Sequence, residues 1–149
     1  MSFWESLRIG TSGLTAQRLR LDLISNNIAN AQTTATSADG KSFQRKDVVF
    51  IPEEKGTFTS KLMAARHADV SNLQGGVKVK EIVTDTSPGS TVYDPTHPDA
   101  DANGNVTYPN VDITVEMTNM LSATRSYEAN LVTIEAVKRM ALKALEIGR

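Results

Sequence analysis

The sequence predicts an α+β protein: long N- and C-terminal helices pair as an antiparallel coiled coil, with a small β-rich middle section between them. Three observations carry this. Apolar residues recur every seven positions within residues 1–34, the run from Val111 to Ile147 holds neither Pro nor Gly, and the middle holds all five prolines and most of the nine glycines. Pro and Gly are frequent in turns and unfavourable inside helices, so their distribution marks where helices stop. The 149 residues thus divide into a first section 1–34, a middle section 35–110 and a last section 111–149.

In the first section Leu7, Leu14, Leu21 and Ile28 form one column of a heptad, and Gly10, Gln17, Ile24 and Ala31 hold the second. Gly10 and Gly13 each cost about 1 kcal/mol relative to Ala in a helix, and Asn26, Asn27 and Asn30 are poor helix formers. Such a helix is marginal alone and needs a packing partner.

The last section supplies one. Asp112, following Pro109, is a natural N-cap. The seam positions read Ile113, Met117, Met120, Thr124, Tyr127, Leu131, Ile134, Lys138, Ala141 and Leu145, most of them apolar. At about 1.5 Å per residue the helix runs to roughly 50 Å. Its five acidic and five basic side chains between Val111 and Arg149 read as a solvated outer face. Leu7, Leu14, Leu21, Ile24 and Ile28 are expected to meet this seam. A two-helix pair buries only one stripe of each helix, so Leu19, Leu23, Leu121, Val137 and Leu142 need other partners. That points to association with further subunits.

The middle section changes period. Phe43 to Pro52, Phe58 to Ala65 and Gly76 to Thr86 read as strands, with turn-rich stretches at Ser37 to Ser42 and Gln74 to Gly76. Ser87 to Asn110, rich in Pro, Asp and Asn, reads as an ordered loop or extended connector.

Composition narrows the function. A net charge of −1 and 5% aromatic residues give neither the basic stripe nor the stacking platform of a nucleic-acid binder. The chain has no cysteine, and no apolar run approaches the roughly 20 residues of a membrane span. The N-terminal MSFWESLRIG lacks the basic and apolar regions of a cleaved secretory signal. His67 and His97 lie 30 residues apart without metal-ligand spacing, and Glu53-Glu54 sits in a turn. No nucleophile elbow, phosphate loop or dinucleotide fingerprint is present. Asp99, Asp101, Asn103 and Gly104, within Asp99 to Asn105, match the opening of a calcium loop, but position 12 is Asn110 where a bidentate Glu is needed. The same residues suit an ordinary Asx-rich turn. The expectation is no enzyme, no cofactor, no metal and no small-molecule substrate. A calcium module or a soluble helical adaptor stand as alternatives to a polymer subunit.

At this point the motifs resemble a known group. SGLTAQRLRLDLISNNIANAQTT (Ser12 to Thr34) resembles the signature of the rod, hook and hook-associated proteins of the bacterial flagellum. Their N-terminal helix ends in a Ser-x-Asn-apolar-Ala-Asn-x-x-Thr motif, here Ser25, Asn27, Ile28, Ala29, Asn30 and Thr33. GKSFQRKDVVF (Gly40 to Phe50) and VYDPTHPDADANGNVTYPNVD (Val92 to Asp112) are similar to the proximal-rod branch. So is the C-terminal pattern set by Met117, Asn119, Met120, Ser122, Arg125, Tyr127, Ala129 and Asn130. The resemblance implies a subunit of the torque-transmitting rod in the periplasm. It also implies export through the flagellar type III apparatus without a cleaved signal. Partners would be other copies, other rod proteins and the motor ring at the rod base, with the terminal helices lining the channel and the middle section outside. Asn27 and Asn30 are expected to bond to backbone where helix yields to β section, fixing register as a buried Asn does in a coiled coil.

Overall fold

The computed structural model describes residues 3–34, 42–53 and 75–148. Helix α1 spans Phe3–Ala29, strands β1 and β2 span Lys46–Pro52 and Val77–Thr84, strands β3 and β4 span Thr91–Tyr93 and Asn105–Thr107, and helix α2 spans Ile113–Ile147. The strand expected over Phe58 to Ala65, together with His67 and Glu54, lies outside the described residues.

Helix ends follow local chemistry. Glu5 in the first turn of α1 complements the helix dipole. The helix closes through tightened turns, Ala31 N–H donating to the Ile28 carbonyl (3.2 Å) and Thr33 N–H to that of Asn30 (3.1 Å). Asp112 caps α2, its Oδ1 accepting from the N–H groups of Thr114 (2.8 Å) and Val115 (3.3 Å).

Strands β1 and β2 form an antiparallel ribbon: Asp85 N–H donates to the Arg45 carbonyl at one end (2.8 Å) and Glu53 N–H to that of Gly76 at the other (2.7 Å). Strands β3 and β4 pair with Thr91 opposite Thr107, Val92 opposite Val106 and Tyr93 opposite Asn105. This hairpin lies inside the expected connector, because three-residue strands are too short to show alternation in sequence. Its return turn is set by Gly104 at φ 75°, where a side chain would be strained.

Contacts group the chain into two compact units, one of Met1–Arg18, Val49–Glu81 and Thr124–Arg149, the other of Leu19–Val48 and Ile82–Ala123. In the first, α1 and α2 run antiparallel and very close. A Cβ on Gly10 would lie 2.7 Å from Ile134 Cγ1, and one on Gly13 would lie 2.9 Å from Asn130 Nδ2. The two glycines that weaken the isolated helix therefore make room for its partner. Ser12 adds a polar tie, its hydroxyl donating to the Ile9 carbonyl (2.7 Å) and accepting from Val77 N–H (3.0 Å). In the second unit Ile24, Ala31, Val106 and Ala123 are buried together with two polar residues, Asn27 and Glu116.

The close helix approach makes a prediction. Gly10→Ala gains about 1 kcal/mol of helix propensity, but overpacking against Ile134 costs about 1–3 kcal/mol. The substitution is therefore expected to lower the midpoint of denaturant unfolding, and a raised midpoint would contradict the packing described.

Candidate functional site: a polar junction of two helices and a strand

Near the end of α1, the fully buried Asn27 acts toward the start of β1 as another strand would. Its Oδ1 accepts from Lys46 N–H (3.0 Å) and its Nδ2 donates to the Lys46 carbonyl (2.8 Å). The same Nδ2 donates to Oε2 of Glu116 in the first turn of α2 (3.2 Å). Only this amide orientation sets a donor against two acceptors and an acceptor against a donor, so its partners fix it.

Glu116 is 1% exposed and turns its other oxygen, Oε1, to Arg45 Nε at 2.9 Å. Arg45 also reaches Asp47 Oδ2 through Nη1 (3.2 Å), while its backbone N–H donates to Asn110 Oδ1 (3.1 Å). Burial opposes the guanidinium charge. The hydrogen bond and attraction from Glu116, with Asp47 behind, outweigh that and hold Arg45 above its usual pKa. Glu116 also sits where the positive end of the α2 dipole favours a carboxylate. The Lys46 side chain leaves the cluster, its ammonium 5.9 Å from the Phe43 ring centre.

Two consecutive residues, Arg45 and Lys46, thus hold the end of α1, the start of α2 and the first pairing of β1 with β2. Deleting the Asn27 amide leaves buried groups unpaired, at about 1–3 kcal/mol. Deleting Arg45 leaves a buried carboxylate uncompensated, at about 3–5 kcal/mol.

The other expected site residues distribute as follows. In α1, Ile24 is buried and Leu7, Leu14, Leu21 and Ile28 are half-buried. In α2, Met120, Tyr127 and Ile134 are half-buried, whereas Ile113, Met117, Leu131 and Leu145 are exposed. The inward stripe keeps the column Met120, Tyr127, Ile134, Ala141 and completes it with Glu116, Ala123, Asn130 and Val137. Close approach over Gly10 and Gly13 brings Ile134 and Asn130 onto the backbone of α1.

Within the junction motif, Ser25 and Ala29 are exposed, and Asn30 bonds locally, its Nδ2 donating to the Asn26 carbonyl (2.9 Å) and its Oδ1 accepting from Thr33 Oγ1 (3.4 Å). Arg45 and Glu116 were not singled out in the sequence. The signal for Glu116 was its place seven residues before the inward-facing Ala123. At Asp99 to Asn105, Asp99 Oδ2 accepts from Thr34 Oγ1 (2.7 Å), and Gly104 N–H donates to the Asp101 carbonyl (2.8 Å). The loop connects the paired strands β3 and β4, with Gly104 in its turn.

Both helices of the junction fall in segments that match known families. Residues 7–35 match the model for flagella basal body rod proteins, and residues 102–147 match that for the C-terminal region of flagellar basal body rod FlgEFG proteins. Over the full length of both chains, 44% of residues are identical to the flagellar basal-body rod protein FlgC of Bacillus subtilis. The FlgC protein of Borreliella burgdorferi is 40% identical over 99% of this chain and 98% of its own. That of Salmonella typhimurium is 40% identical over 95% and 94%. The chain belongs to the FlgC family of flagellar basal-body rod proteins. Asn27 and Glu116 lie inside the two matched segments, and Arg45, which joins them, lies outside both.

The amide orientation can be tested by pH. Asn27→Asp keeps the shape of the side chain but sets a carboxylate oxygen against Glu116 and the Lys46 carbonyl. In the folded state its pKa is raised above the unfolded value, so the folded protein is penalised at neutral pH and relieved as pH falls through that raised value. The stability gap from wild type, measured by urea unfolding, is expected to narrow on acidification. A gap independent of pH would contradict the contact.

Proposed function

We propose that this chain is a structural subunit of the rod in the bacterial flagellar basal body, polymerising with other copies of itself and with other rod proteins to form a drive shaft around an export channel. Family membership supports this reading. The observation that carries it is the unused apolar surface of α2. The helix pair closes through Ile134 and Asn130 over Gly10 and Gly13, while Ile113, Met117, Leu121, Leu131, Leu142 and Leu145 stay exposed. The first five recur at nearly whole numbers of helical turns and so share one side of α2. Such a side on a monomer marks a protein–protein contact.

In this reading residues 1–34 and 111–149 make the inner helical layer of the rod and residues 35–110 lie outside it. The periplasmic position, the motor ring at the rod base and passage through the type III export apparatus complete the proposal. Transmission of torque needs rigid, repeated side-chain contacts and no catalytic group.

Met117→Asp and Leu131→Asp test it. Both sites are exposed, so stability should shift by no more than about 0.5 kcal/mol. The variants are expected to fold yet to be absent from purified basal bodies and to abolish swimming. Motile cells with either variant incorporated would contradict the proposal.

A further inference from the structure

We propose that the Asn27–Arg45–Glu116 cluster is a register lock. It rejects one displaced alignment of α2 along α1, by seven residues, that the close packing at Gly10 and Gly13 would accept. The lock is a property of the single chain; its use, giving every copy the same exposed face at the same height, rests on the assembly reading above.

A heptad seam is blind to shifts of seven residues, because each column maps onto itself. Here one direction is closed by size. Moving Tyr127 over Gly10 in place of Ile134 would force a ring into a gap where even a Cβ lies 2.7 Å from its neighbour. The other direction is open. It sets Ala141 over Gly10 and Val137 beside Gly13, and Ala141 needs less room than Ile134 does. Size at these two glycines therefore does not exclude it, although Asn130 then takes the fully buried place of Ala123.

The polar cluster does. The open displacement puts Ala123 where Glu116 stands. Arg45 then loses the carboxylate at 2.9 Å, and Asn27 Nδ2 loses the acceptor at 3.2 Å. Asn27 remains held by Lys46 through two backbone bonds and cannot follow. The buried Asn27 amide loses one hydrogen-bond acceptor and the part-buried guanidinium is left with Asp47 alone, a penalty that applies only to the wrong alignment. Polar groups placed this way select among alignments while adding little net stability to the right one.

The chain has no native cysteine, so engineered disulfides report alignment directly. Gly13→Cys is paired with Asn130→Cys to trap the observed register, or with Val137→Cys to trap the displaced one. Both pairs are made in the intact full chain and in a background carrying Asn27→Leu, Arg45→Met and Glu116→Leu. The intact background is expected to give the 13–130 disulfide and little 13–137. The apolar background should keep or raise its melting midpoint and increase the 13–137 yield about tenfold or more. If the apolar background does not fold, the ratio is read in Glu116→Ala, where the lock predicts the same rise. An unchanged ratio in the background that folds overturns the proposal. Disulfide yields on the purified chain do not depend on entry into a basal body, so failure here and failure of the rod reading are separate results.

Discussion

The N–H and C=O of Lys46 are both taken by one side chain, Asn27, and the rest of the second unit is arranged around that contact. Because a side-chain amide replaces a strand partner, β1 begins against a helix. That fixes where α1 must end and where the ribbon must start. The remaining amide hydrogen reaches Glu116, so the start of α2 is placed by the same group. Arg45 then neutralises the carboxylate and passes its own carbonyl to β2. Segments far apart in sequence meet through about half a dozen polar contacts, most of them at least partly shielded from water, and the one between Asn27 and Glu116 is buried, where an unmade bond is expensive.

Elsewhere the helices meet through absence of bulk. Gly10 and Gly13 lower helix propensity but let Ile134 and Asn130 close on the backbone of α1. The buried apolar residues among those described are few and mostly small: Ala16, Ile24, Ala31, Val106 and Ala123. A chain that buries so little and exposes a side of Ile, Met and Leu on α2 has left much of its hydrophobic stabilisation to be gained on association.

Much of the architecture was legible in sequence because it depends on local signals. The Asp112 cap, the uninterrupted α2 and the strand pattern near Gly76 follow from neighbours a few residues away. Half of each helix stripe was also legible, through Gly10, Ile24 and Ala31 on α1 and Met120, Tyr127 and Ile134 on α2. The other half was not. Heptad reading favours bulky apolar residues, whereas Asn130 faces inward over Gly13 and Glu116 faces inward to Asn27 and Arg45, partners far away in sequence. Asn27 could be singled out as a residue that bonds to backbone, but its acceptor and donor at Lys46 could not. Arg45 looked like any surface base before a strand, and only a three-dimensional neighbour distinguishes it.

One amide and one part-buried ion pair join both helices to β1. A density map of the assembled rod that resolves side chains tests it most directly. Asn27 is expected within hydrogen-bonding distance of the Lys46 backbone, and Glu116 paired with Arg45 of its own chain, in each subunit of this type. A map in which Glu116 and Arg45 part, or in which Asn27 faces a neighbouring subunit, would contradict it.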